Sequence, residues 1–111
     1  MELNKQVCSL ELAQKMKELG FKQESLFYWN QGIVCDSSFK VIPEACSAYT
    51  VAELEIYLPT NVVCKNTAFD EVLVKLLDEE GETIYFTREE KGADARAKML
   101  IYLVENKLIT V

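Results

Sequence analysis

The hydrophobic residues in the last part of the chain recur with the period of an α-helix. Their stripe consists of Ala97, Leu100, Ile101, Val104 and Leu108, and it is widened by Met99 and Leu103. Burying such aliphatic side chains contributes about 1.5–3 kcal/mol each. An Asp94 to Lys98 ion pair on the polar side adds only roughly 0.2–0.5 kcal/mol. We therefore predict a long C-terminal helix that starts near Gly92 or Ala93 and supplies most of the core.

Two shorter helices are predicted upstream. Ser9 is a favourable N-cap for a first helix, Leu10–Leu19, which shows its own apolar stripe. A capping box formed by Thr50 and Glu53 starts a second helix, which should run to Leu58, just before a proline. This second helix spans about two turns, so it depends on tertiary packing for its stability.

A first hairpin is predicted between these two helices. Ser25–Trp29 is dense in aromatic residues, as is typical of a strand. Asn30–Gly32 fits a three-residue loop with glycine in the left-handed conformation, and Ile33–Cys35 forms the returning strand. The polar connection that follows includes an apolar stretch, Phe39–Pro43, which indicates a short edge strand.

A second hairpin is predicted before the C-terminal helix. Residues 69–77 also match a helix capped by Thr67, but we favour a strand over Glu71–Leu77. An acidic, glycine-containing loop and a second β-rich run, Thr83–Phe86, follow this strand, as a hairpin requires. Val62–Cys64 is predicted as a further short strand.

Together these elements predict an α+β fold. We expect one antiparallel sheet of about four to five strands and three helices, with the C-terminal helix packed across one face. No repeat, low-complexity tract or linker interrupts residues 1–111, so we predict a single domain. The other face of the sheet must be solvated, covered by the remaining helices or used as an interface.

Charge narrows the class of partner. The net charge is −6, whereas nucleic-acid-binding domains usually carry a basic surface. The acidic residues are dispersed rather than arrayed, which also argues against mimicry of nucleic acid. We therefore expect no direct contact with nucleic acid.

Cysteine usage and hydropathy indicate the compartment. The four cysteines, Cys8, Cys35, Cys46 and Cys64, are widely spaced, and no histidine is present to complete a zinc site. The N-terminus lacks the pattern of a signal peptide, and no apolar run approaches the length of a membrane span. We expect a cytoplasmic chain with reduced, mostly buried thiols, no metal and no membrane contact.

The usual catalytic groups are missing. Without histidine, the common general base and the Ser-His and Cys-His dyads are excluded. The four glycines are isolated, so there is no phosphate-binding loop. The carboxylates of Asp78–Glu80 and Glu82 could hold Mg²⁺, but a solvated hairpin tip explains them better. We predict no catalytic residue, no cofactor and no enzymatic activity.

Several stretches together resemble a family of uncharacterised small proteins of bacteriophages, prophages and mobile elements. They are Ser9–Ala13, Lys17–Gly20, Glu24–Trp29, Ser47–Leu54 with Leu58 and Pro59, and Ala93–Leu103. The sequence departs from the family at Glu55, where glycine is expected, and at Gly92, where a polar helix-starting residue is expected. The resemblance implies a small accessory protein in the host bacterial cytoplasm, where replication helpers and anti-defence proteins are common, and brings no established activity.

Aromatic residues are the best candidates for a binding site. Tyr28, Trp29, Tyr85 and Phe86 lie on two predicted strands, where one alternating set should be buried and the other partly exposed. Three basic residues, Arg88, Arg96 and Lys98, could approach one end of the sheet. Such an aromatic floor with a basic rim would suit a nucleotide-type ligand, through stacking and phosphate pairing. The alternative, which we favour, is that these rings divide between core and a subunit interface.

Two functions follow as hypotheses. The first is a non-enzymatic accessory binding protein of a phage or mobile element, which counters host defence by occupying a host protein or sequestering a nucleotide-type signal. Its candidate ligand or interface residues are Tyr28, Trp29, Tyr85, Arg88, Arg96 and Lys98. The second is a homo-oligomeric accessory protein in assembly or replication.

Overall fold

The computed structural model describes residues 3–36, 45–67 and 69–111. Within them the chain forms four helices and two three-stranded antiparallel sheets. The helices are α1 (Leu3–Gln6), α2 (Leu10–Glu18), α3 (Val51–Glu55) and α4 (Gly92–Glu105), and the strands are β1 (Phe27–Asn30), β2 (Ile33–Asp36), β3 (Cys46–Ala48), β4 (Val62–Asn66), β5 (Val72–Leu77) and β6 (Thr83–Glu89). The predicted α+β class and long C-terminal helix are confirmed. The prediction of one sheet and three helices is wrong.

The first sheet has the strand order β2-β1-β3, because β1 pairs on its free edge with Cys46–Ala48 rather than with the second hairpin. The β1–β2 connection is a two-residue turn rather than the predicted three-residue loop. Gln31 and Gly32 both have positive φ, 53° and 80°, as a type I′ turn requires. The edge strand predicted over Phe39–Pro43 lies outside the described residues.

Helices α2 and α3 begin where their sequences predict. The capping box of α3 is complete, since the Glu53 backbone N–H donates to Thr50 Oγ1 and the Thr50 backbone N–H donates to Glu53 Oε1. The helix ends at Glu55 rather than at the predicted Leu58. Residues 57 and 58 instead donate to carbonyls three positions back, which tightens the last turn into 3₁₀ geometry.

The second sheet has the strand order β4-β5-β6. The strand predicted over Glu71–Leu77 is confirmed as β5, and the alternative helix over residues 69–77 is wrong. Pairing on both sides explains this outcome, because β5 bonds β4 along one edge and β6 along the other. A helix of the same residues would leave both neighbouring strands without partners.

Helix α4 packs against β5 and β6 of the second sheet and also contacts α2 and α3. Its buried residues are Ala93, Ala95, Ala97, Met99, Leu100, Ile101 and Leu103. Leu108, predicted to be part of the buried stripe, is exposed because the helix ends at Glu105. The described helices include none that is both long and apolar enough to cross a membrane.

Polar contacts at the start of α4 differ from the predicted i,i+4 pair. Asp94 Oδ1 accepts a 2.6 Å hydrogen bond from the Ser9 backbone N–H, and Asp94 Oδ2 lies 3.8 Å from Lys91 Nζ. Lys98 forms an ion pair with Glu89 instead. Asp94 therefore joins the beginning of α2 to the beginning of α4, two elements that are far apart in sequence.

Candidate functional site

The second sheet has two unlike faces, because side chains alternate along its strands. Val74 and Leu76 on the central strand β5 are buried on the side that α4 covers, together with Thr87 on β6. Their neighbours along each strand point the opposite way. This opposite side, which we call the outer face, consists of Val63, Lys65, Leu73, Lys75, Ile84, Phe86 and Arg88.

The outer face exposes large apolar side chains. Phe86 is 55% exposed and Ile84 is 59% exposed, and Val63 on β4 is also exposed. Lys75 stands between two of them, since its Cα partners are Val63 on one side and Phe86 on the other. Buried apolar surface stabilises the fold, but these side chains contribute little to it while they remain in water.

Three cations alternate with these apolar groups. Lys65 and Arg88 lie on the edge strands β4 and β6, and Leu73 on the central strand β5 is the Cα partner of both. Lys75 lies in the next row of the sheet. Within the described part of the chain, Lys65 and Lys75 form no ion pair, and Arg88 has a long contact of 3.9 Å with Glu71. The outer face therefore carries positive charge in a chain whose net charge is −6.

Acidic residues lie at both ends of this face but not within it. One end is the β5–β6 turn, where Asp78 Oδ1 accepts hydrogen bonds from the backbone N–H groups of Glu80 (3.0 Å) and Glu82 (2.9 Å). The other end is the β4–β5 connection, which contains Asp70 and Glu71. The positive charge is thus confined to the middle of the sheet.

Tyr28 and Trp29 belong to the first sheet, and their polar atoms are already bonded within the protein. Tyr28 is 2% exposed, and its hydroxyl donates to the Gln23 carbonyl at 3.1 Å. Trp29 Nε1 donates to the Cys8 carbonyl at 2.9 Å. Both residues join β1 to the preceding chain through these bonds; Trp29 packs against the hydrophobic core and Tyr28 is buried, so neither is presented to a ligand.

Tyr85 and Lys98 meet on the other side of the second sheet, beside α4. The Tyr85 ring stacks on Tyr102 with centroids 3.6 Å apart and ring planes 3° apart. Lys98 donates to Glu89, which raises the pKa of Lys98. The adjoining cleft has a volume of about 260 Å³, below the roughly 300–1,000 Å³ typical of small-molecule sites.

The two arginines are separated from this cleft and from each other. Arg96 Nε donates to Glu55 Oε1 at 3.1 Å, and its Nη1 donates to the Gly92 carbonyl at 3.1 Å. Arg88 lies on the outer face. Of the six residues predicted as a site, the structure therefore brings together only Tyr85 with Lys98, because Tyr28 and Trp29 are consecutive residues on opposite faces of β1.

All four cysteines are free, and for three of them, Cys8, Cys46 and Cys64, burial argues against a nucleophilic role. Burial raises the pKa of Cys8 to about 12 and also raises the pKa of Cys46. Burial raises the pKa of Cys64 as well, although the neighbouring Arg96 acts in the opposite direction. These thiols are protonated at neutral pH, whereas a nucleophilic cysteine needs its thiolate.

At the acidic hairpin tip, the Asp78 carboxylate stabilises a turn. The two bonds to Asp78 close the β5–β6 connection. Among the residues that the structure describes, no group of three or more potential ligands could hold a metal ion.

The sequence prediction missed most of the outer face. It included Arg88 and considered Phe86, but it did not include Val63, Lys65, Leu73, Lys75 and Ile84. The signal that could have found them is the alternation of β5, where Leu73 and Lys75 lie out of phase with Val74 and Leu76. Extending this alternation to β4 and β6, the two strands that pair with β5, would have selected the residues on the same side of the sheet.

Comparison with family models, with curated proteins and with solved structures finds no match to this chain.

Proposed function

We propose that the protein is a non-enzymatic accessory binding protein of a phage or mobile element, and that it occupies a host protein through the outer face of its second sheet. The observation that carries this proposal is the exposure of three large apolar side chains on one face of the second sheet, Ile84 and Phe86 on β6 and Val63 on β4, with Lys75 between Val63 and Phe86. Exposed apolar clusters of this kind are typical of protein interaction sites.

The sequence resemblance supports the biological part of the proposal. It implies a mobile-element accessory protein in the bacterial cytoplasm, a setting in which countering host defence is a common role. The raised pKa values of the buried thiols and the absence of histidine favour binding over catalysis.

A nucleotide-type signal is a less favoured ligand. Its predicted basic rim included Arg96 and Lys98, and both side chains have an acidic partner within the protein, Glu55 and Glu89. The tyrosine pair beside Lys98 borders a small cleft, and Tyr85 is already stacked on Tyr102. Binding a phosphate there would require the protein to break its own ion pairs.

Affinity capture from a bacterial host lysate, read by native mass spectrometry, tests the proposal. We expect the wild-type chain to retain a host protein and the double variant Ile84→Ser/Phe86→Ser to lose it. Leu26→Ser/Ile56→Ser is the matched control, because it removes two exposed apolar side chains that lie outside the outer face. The control variant should retain the same protein.

Other outcomes would replace the proposal. Retention that is equal in both double variants would show that the outer face is not the binding surface. A retained mass in the nucleotide range would favour signal sequestration. A bare oligomer that dissociates in Ile84→Ser/Phe86→Ser would favour the homo-oligomeric assembly role.

A further inference from the structure

We infer that the outer face recognises an acidic polypeptide segment in which carboxylates are interleaved with apolar side chains. This inference rests on the proposed function and specifies the chemistry of the partner. It follows from the arrangement of the seven outer-face residues, from the exposure of five of them and from the acids at the two ends of the face.

The arrangement is an interleaved one. Lys75 is flanked across the strands by Val63 and Phe86, while Leu73 in the next row is flanked by Lys65 and Arg88. Neighbouring strands lie about 4.8 Å apart, and rows on one face lie about 6.8 Å apart along a strand. Each cation therefore has apolar neighbours at short range, and a partner must supply both negative and apolar groups at matching spacing.

The positive charge of the outer face requires a partner that is negatively charged. Lys65 and Lys75 have no ion pair within the described residues, and the Arg88 contact with Glu71 is long at 3.9 Å. Interfaces pair surfaces of opposite potential, and rim charges act mainly on specificity and association rate. Carboxylates of a partner would give these three cations the counter-charges that the protein itself supplies only weakly.

A second copy of the chain does not meet this requirement. A two-fold symmetric contact through the outer face would place the same patch on both sides of the interface. Lys65, Lys75 and Arg88 would then face one another, and like charges oppose such an association. The charge pattern therefore selects a different molecule.

The flanking acids favour a short polypeptide over nucleic acid. A nucleic-acid strand carries a charge at every nucleotide, so its backbone would run past the patch toward the acids of the two hairpin turns, Asp70 with Glu71 and Asp78 with Glu82. A segment with a few carboxylates can match the patch and avoid both ends. The aliphatic groups Val63, Leu73 and Ile84 also suit apolar side chains better than bases.

The test uses defined probes and fluorescence anisotropy. The acidic probe is a labelled peptide of about eight residues in which Glu alternates with Leu and Phe, which is about 27 Å long when extended. The same peptide with Gln in place of Glu is the neutral probe, and an oligothymidylate of similar length is the nucleic-acid probe. We expect only the acidic peptide to bind, at least about tenfold more tightly than the neutral one.

Charge-neutralised variants locate the contact. The triple variant Lys65→Gln/Lys75→Gln/Arg88→Gln should weaken binding of the acidic peptide by at least about tenfold, and raising the salt from about 50 to about 200 mM should also weaken it. Lys5→Gln/Lys22→Gln/Lys107→Gln has the same net charge and alters exposed lysines elsewhere, so it should bind as the wild type does. Circular dichroism confirms that each variant is folded.

Three results would overturn the inference. These are equal binding of the acidic and neutral peptides, equal weakening by the two triple variants, and preferential binding of oligothymidylate that the outer-face variant abolishes. The proposed function fails separately. A host protein that is lost in Ile84→Ser/Phe86→Ser but retained by the outer-face triple variant would support the binding surface and refute its acidic partner.

Discussion

The two sheets use their aromatic residues in opposite ways. In the first sheet Tyr28 is buried and Trp29 is half-buried, and each has a hydrogen bond to a backbone carbonyl of the preceding chain. In the second sheet Tyr85 is stacked against Tyr102 on the covered side, while Phe86, one residue later, is 55% exposed. These two aromatic rings of the first sheet are thus closed in by the rest of the protein, whereas the second sheet is covered on only one side.

This difference shows why a local aromatic pattern does not identify a binding surface. Strands rich in aromatic residues look alike in sequence, whether a side chain reaches a buried hydrogen-bond partner or water. Tyr28 and Trp29 have such partners in Gln23 and Cys8, which come from the segments that pack against β1. Phe86 has no polar atom to satisfy, and α4 covers the other side of its strand.

The largest expected effect is the difference in stability between two truncation variants, one in each sheet. Tyr28→Ala should lower the free energy of unfolding by about 3–5 kcal/mol, since it removes a buried ring and its hydrogen bond. Phe86→Ala should change it by less than about 1 kcal/mol, because the ring is largely in water. Urea unfolding followed by circular dichroism measures both. Similar losses in the two variants would mean that the outer face is covered by the protein itself.

The burial of Cys8, whose carbonyl accepts the hydrogen bond from Trp29, should also make the protein sensitive to alkali. Burial raises the pKa of Cys8 from 9.0 to about 12, so the folded protein keeps this proton while the unfolded chain loses it. The contribution of Cys8 to the free energy of unfolding is therefore fully present below pH 9.0. It is lost as the pH rises toward 12, by up to about 1.4 kcal/mol per pH unit. Urea unfolding between about pH 8 and about pH 10.5 measures the slope.

Two cysteine variants isolate the origin of that slope. Cys8→Ala should decline less steeply with pH than the wild type, whereas Cys35→Ala, on the edge strand β2, should keep the wild-type slope. Equal slopes in the wild type and Cys8→Ala would assign the alkaline loss to other groups. Tyr49 is the first of these to test, because burial raises its pKa as well.

The smallest effect is expected from neutralising the outer face. Lys65→Gln, Lys75→Gln and Arg88→Gln should each change the free energy of unfolding by no more than about 0.5 kcal/mol, as is usual for exposed charges away from buried networks. Thermal unfolding of the single and triple variants measures this. A large loss of stability would show that these cations stabilise the fold, and that the outer face is not a free surface.

Elements with strong local signals were predicted well. The Thr50–Glu53 capping box and the apolar stripe of α4 located two helix starts correctly, because both signals depend on residues that are close in sequence. The end of α4 at Glu105 and the turn at Gln31–Gly32 were not predicted. Several backbone conformations suit such sequences, and contacts with distant residues select one of them.

The candidate site was harder to predict than the fold. Arg96 and Lys98 looked like a basic rim, but Glu55 and Glu89, which lie 41 and 9 positions away, neutralise them. To predict the outer face, one must know for β4, β5 and β6 together which alternate residues point away from α4. A shift of one residue in any strand would have exchanged its exposed and buried sets.

The amino-acid sequence by itself determined the starts of α2, α3 and α4, the β1–β2 and β5–β6 strand pairs, the lack of histidine-based chemistry and the net negative charge, since these follow from composition and from neighbours along the chain. Only the tertiary structure decided that β3 would complete a separate sheet and that α4 would cover one face of the other. Both outcomes depend on contacts between residues far apart in sequence, such as Ser9 with Asp94 and Trp29 with Cys46. These contacts left Lys65, Ile84 and Phe86 exposed to water.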